Sequence, residues 1–108
     1  MHRDMKPANV LLASKDPNNI NVKITDFGFS TFFDLKEGKR EQCGSPLYMA
    51  PELLSKKKYN YKVDIWAVGI MLFKLLVGND NKKQPYKNIR RVEDLENIAE
   101  MLIRKQNK

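Results

Sequence analysis

The sequence predicts an α+β chain that is mainly α. Three observations carry this reading. Two short apolar segments, at 10–13 and 20–25, flank a turn-forming stretch in the manner of a β-hairpin. Residues 61–78 are apolar, long enough for a helix, and end at Gly78. Residues 90–108 repeat apolar side chains at helical spacing.

Taken in order, "VLLA" (10–13) is the first strand and "SKDPNN" the turn, by its Pro, Asn and Asp content. "INVKIT" (20–25) alternates apolar and polar residues, as a half-buried strand does, and delivers Asp26 at its end. Residues 28–47 carry Gly28, Gly38, Gly44 and Pro46 as punctuation and read as one long loop, a kind of segment that is usually functional. "PELL" (51–54) starts a short helix, with Pro51 in its first turn. Residues 61–78 leave almost no polar face, so that helix belongs in the middle of a larger body and should leave an apolar patch exposed on this chain alone. Residues 79–88 are a polar loop. Val92, Leu95, Ile98, Ala99, Leu102 and Ile103 then mark an amphipathic surface helix over 90–108.

With 108 residues the chain holds one small domain and not two. Its net charge of +7 sits in the second half: residues 51–108 carry thirteen Lys and Arg against seven Asp and Glu, while residues 1–50 carry seven against six. Such a balance raises nucleic acid as a partner. The lysines of "SKKK" and of Lys82–Lys83 lie beside loops, without interleaved stacking aromatics, so solvated lysines are the better reading and no nucleic-acid partner is expected. The lone Cys43 excludes a disulfide framework and reads as a small packed hydrophobe. No signal-peptide pattern opens the chain, and Lys74 breaks the longest apolar stretch, so no membrane segment is expected. A cytoplasmic setting follows, with a nuclear one also open; nothing in the residues specifies an oligomeric state.

Three motifs occur in order: "HRDMKPAN" at 2–9, "DFG" at 26–28 and "APE" at 50–52. Singly, Asp4, Asn9 and Asp26 could each be a turn or capping residue. Together, and joined by "DIWAVG" at 64–69, they resemble the signature set of eukaryotic protein kinases. The fold so implied is a partial protein-kinase-like one, a C-terminal-lobe fragment. Its parts are the hairpin, an activation loop, the central helix and one further amphipathic helix. Residues 1–108 contain no Gly-rich phosphate loop and no "VAIK" lysine with its glutamate. The expectation is therefore an incomplete catalytic domain, running from the catalytic loop through the helix after the central one, with the N-terminal lobe and the end of the C-terminal lobe absent.

The resemblance implies roles residue by residue. Asp4 would accept the proton of a protein hydroxyl and Lys6 would place a positive charge on the transferring phosphoryl group. Lysine at position 6 resembles the Ser/Thr-specific branch. Asn9 and Asp26 would bind Mg²⁺, which prefers hard oxygen ligands, together with ATP. Ser45 would hydrogen-bond Asp4 and Lys6 beside the acceptor site. Phe27 and Gly28 would complete their motif structurally, and His2 would pack rather than act as a base. Asp64 would hold the backbone of residues 2–4, and Glu52 would look for a buried arginine partner that this chain does not supply. Arg3 would pair with a phosphorylated activation-loop residue, and Glu41 stands at that position; either an acid there pairs without modification, so that no loop phosphorylation on Ser30, Thr31 or Ser45 is needed, or Glu41 is a solvated loop carboxylate. "CGSP" with "DFGFS" resembles the calmodulin-kinase-like and autophagy-initiating groups.

The function implied is that of a Ser/Thr protein kinase, converting ATP and a protein hydroxyl to ADP and a phosphoprotein, with this chain inactive by itself. The alternative is a non-catalytic lobe remnant that binds another protein. Retained metal-ligand residues favour the first. The lengthened "GNDNKKQPY" loop leaves substrate preference open.

Overall fold

A computed structural model describes residues 1–34, 36–78, 85–86 and 88–107. It shows a mixed fold of helices with one two-stranded antiparallel sheet. Residues 79–84, most of the "GNDNKKQPY" stretch and including Lys82 and Lys83, lie outside the described residues.

The strands are β1, Val10–Leu12, and β2, Val22–Ile24, paired Val10 to Ile24, Leu11 to Lys23 and Leu12 to Val22. The turn between them is closed by side chains suited to it: Asp16 accepts the Asn18 N–H at 2.9 Å and Ser14 accepts that of Asp16 at 3.0 Å. A 3₁₀ turn over Pro7–Asn9 leads into β1, with proline fixing its first dihedral. The long loop is irregular as expected, apart from a second 3₁₀ turn at Pro46–Tyr48 and a β-bridge between Lys39 and Tyr59.

Three helices follow. α1 spans Pro51–Leu54, α2 Lys62–Val77 and α3 Val92–Gln106. α2 starts one residue later than the apolar run suggests, after an Asx turn in which Asn60 Oδ1 accepts the Lys62 N–H at 2.9 Å. It stops where Gly78 turns to φ +74°, a conformation that costs glycine little. α3 starts two residues later than predicted. Asp94 reaches back to the N–H groups of Arg90 and Arg91, at 2.8 and 2.9 Å, and holds both outside the helix.

The core has two parts. Leu53 and Leu54 of α1, Val63 of α2, and Leu95 and Ala99 of α3 pack with Met49, Ala50 and Tyr59. A smaller cluster joins Met5 to Ala67 and Met71 of α2, with Val10 and Tyr48 against it. The second cluster is what seats residues 2–9 on the central helix. Much of the rest of α2 is open: Ile65, Leu75 and Leu76 are each more than 65% exposed. That is the apolar surface anticipated from a helix without a polar face. Among the described residues no helix is long and apolar enough to cross a membrane.

Candidate active site

Residues 2–4 take their shape from α2. Asp64, in its first turn, accepts the backbone N–H of His2 at 2.7 Å and of Arg3 at 2.8 Å. Arg3 thereby sits at φ +70°, a left-handed conformation that costs a non-glycine residue about 1–3 kcal/mol. Hydrogen bonds to a charged acceptor contribute about 1.5–3 kcal/mol each, so the two from Asp64 offset that strain. His2 is buried; its Nε2 meets the Thr25 carbonyl at 2.9 Å and its Nδ1 the Asp4 N–H at 3.2 Å. A carbonyl only accepts, so Nε2 carries the proton and Nδ1 accepts. His2 also packs edge-on against Phe27, with ring centroids 5.2 Å apart.

Asp4 lies 6% exposed at the centre. Ser45 donates to its Oδ1 at 2.9 Å, Lys6 Nζ stands 3.3 Å from Oδ2, and Asn9 Nδ2 donates to its carbonyl at 2.9 Å and to Oδ2 at 3.3 Å. Lys6 in turn donates to Ser45 Oγ at 2.8 Å. Burial pushes the Asp4 carboxyl up, but the bonds from Ser45 and Lys6, the Lys6 charge and the Asn9 amide outweigh it and hold the group below the ordinary aspartate range. Ser45 reaches this place because Gly44 passes directly over residue 3. A Cβ on Gly44, which has φ +100°, would clash with the Arg3 carbonyl oxygen.

Asn9 is buried and its N–H donors face Asp4; the carboxamide oxygen on the same carbon remains as a hard ligand. Its backbone carbonyl accepts the Thr25 N–H at 2.9 Å, which brings Asp26, the next residue, to the same end of the hairpin. Asp26 is exposed at φ +59°, and its Oδ1 accepts the Gly28 N–H at 3.3 Å. Among the described residues no three His, Cys, Asp or Glu side chains form a closed metal cage. A carboxamide oxygen and a carboxylate fit a Mg²⁺ ion that takes its other ligands from phosphate and water.

Arg3 points away from this centre. Its side chain, 8% exposed, donates from Nε to the Phe29 carbonyl at 2.6 Å and from Nη1 to Glu41 Oε2 at 3.0 Å and Tyr59 Oη at 3.1 Å. Burial lowers its pKa, yet the bonds to Tyr59 and Glu41 more than compensate and raise it. Glu41 is 71% exposed, and a pair open to solvent contributes only about 0–1 kcal/mol. Cys43 is partly buried, and burial pushes its thiol up, away from the reactive thiolate. Glu52 is half-buried on α1 rather than sequestered, so its lack of an ion-pair partner among the described residues carries little penalty. Tyr59 and Thr25 were not anticipated: the partners of Tyr59 lie 18 and 56 residues away, and no local pattern marks it.

The whole of residues 1–108 matches the protein kinase domain model. The chain belongs to the protein kinase family. This member is 48% identical over 97 residues to serine/threonine-protein kinase atg1 of Dictyostelium discoideum, a match covering 90% of this chain and 14% of that protein. It is 43% identical to serine/threonine-protein kinase ATG1b of Arabidopsis thaliana, over 91% of this chain and 13% of that protein. To serine/threonine-protein kinase ULK1 of Homo sapiens it is 41% identical, over 72% of this chain and 8% of that protein. The kinase chain thus spans about one-seventh or less of the length of these relatives.

Proposed function

We propose that the protein carrying this chain is a serine/threonine protein kinase of the Atg1 and ULK1 kind. Its reaction would transfer the γ-phosphate of ATP to a protein hydroxyl. The observation that carries this reading is the Asp4 carboxylate, buried and held charged by Ser45, Lys6 and Asn9.

Phosphoryl transfer needs alignment and charge neutralisation more than covalent help. Asp4 would accept the proton of the acceptor hydroxyl. Ser45 fixes the carboxylate plane and Lys6 brings a positive charge to the same spot. Asn9 and Asp26 would hold Mg²⁺, which when bound neutralises phosphate charge. Residues 1–108 would form part of the larger lobe of the kinase. By themselves they would bind ATP weakly, having no Gly-rich loop to cover the phosphates.

The test is phosphate transfer from labelled ATP to a Ser/Thr peptide library by the intact protein. Asp4→Asn should lower the rate by about 10²-fold or more, as loss of a general base does, without lowering Tm by more than a few degrees. Transfer at the wild-type rate by the folded variant overturns the assignment.

A further inference from the structure

We propose that Tyr59 is a positioning residue of this site, seating the segment from Lys39 to Tyr48 on Arg3 without a phosphate group. The inference rests on the phosphotransferase reading above.

Tyr59 holds the segment at two residues at once. Its backbone pairs with Lys39 in both directions, N–H to carbonyl at 3.2 and 2.9 Å. Its hydroxyl donates to the Glu41 carbonyl at 2.5 Å and accepts from Arg3 Nη1 at 3.1 Å. Positions 39 and 41 are thus fixed to one residue that is 4% exposed, the first through its backbone and the second through its hydroxyl, while Arg40 between them faces solvent. Arg3 completes the fixture through Phe29 and the Glu41 carboxylate.

Glu41 supplies charge at this point, and Tyr59 supplies geometry. The Glu41 carboxylate is mostly in water, so its attraction is screened. The Tyr59 side chain is buried and its part-buried hydroxyl bonds are directional, so they set the register. That register matters four residues on, where Ser45 meets Asp4 and Lys6. Gly44, pressed on the Arg3 carbonyl, leaves little slack between the two points. A shift at residue 41 therefore reaches the hydrogen bond that orients the Asp4 carboxylate. A covalent phosphate would fix the segment by charge; here an encoded acid and a buried hydroxyl do so.

The experiment uses the intact protein, before and after phosphatase treatment, as wild type and Tyr59→Phe. Two readouts are taken: peptide and ATP kinetics separately, and the rate of tryptic cleavage after Lys39 and Arg40. Treated wild type should keep its activity and resist cleavage there. Tyr59→Phe should lose about tenfold in kcat/KM for peptide, leave the KM for ATP unchanged, and be cut about tenfold faster. Wild-type kinetics and cleavage in Tyr59→Phe overturn the proposal. So does a loss of activity in wild type on dephosphorylation, or an equal rise in both KM values. Should Tyr59→Phe not fold, the treated wild type still decides: rapid cutting after Arg40 sinks the proposal. Wild type inactive both before and after phosphatase instead overturns the phosphotransferase reading itself.

Discussion

Asp4 is a buried carboxylate whose neighbours all favour its charged form, and the outcome is a contest of magnitudes. Removal from water disfavours the charge, while two neutral donors and one cation within 3.3 Å favour it more. With its folded pKa depressed, Asp4 contributes stability that is full above the ordinary aspartate value of about 3.9 and is lost as pH falls through the lower folded value. Ser45→Ala removes the closest donor to the carboxylate. NMR titration of the Asp4 carboxyl should show a midpoint below the ordinary range in the wild type and a higher one in the variant. Equal midpoints would remove Ser45 from the account. Asp4, Lys6 and Asn9 could be read in the sequence because they fall within eight residues of one motif. The Ser45 contact, 41 residues distant, entered only through family resemblance, and Tyr59 did not enter at all, since hydrogen bonds between distant loops leave no periodicity.

Among the elements, α2 does most to position the site. Met5 packs on Ala67 and Met71, and Asp64 binds the backbone of His2 and Arg3 from the helix's first turn. The helix itself was legible from its apolar run and Gly78. Its start follows the Asx turn at Asn60, and the start of α3 is held by the Asp94 side chain, each two residues from the first residue of its helix. Asp64→Asn replaces one acceptor oxygen with a donor facing an N–H. It should cost about 2–3 kcal/mol in urea unfolding of the intact protein, and the His2 and Arg3 amides should lose exchange protection. Unchanged protection would mean that Arg3 keeps its left-handed backbone without Asp64.

For the molecule as a whole, the hairpin, the 3₁₀ turn and the crossing over α2 bring three distant stretches of chain to one place. The Thr25 N–H joins Asn9, the Gly44 backbone lies on Arg3, and Asp26 stands at the open end of the hairpin. The exposed apolar sides of α2 and of the hairpin, where Leu12 and Ile20 are at least 70% open, are the kind of surface that meets further protein. The central claim is that Asp4, Asn9 and Asp26 serve one nucleotide–metal site. It is tested most directly by a crystal structure of the intact protein with Mg²⁺, a non-hydrolysable ATP analogue and a peptide. The account predicts Asn9 Oδ1 and an Asp26 carboxylate oxygen about 2.1 Å from magnesium, with Asp4 facing the acceptor hydroxyl. Nucleotide and metal bound elsewhere, with these side chains directed to separate regions, would contradict it.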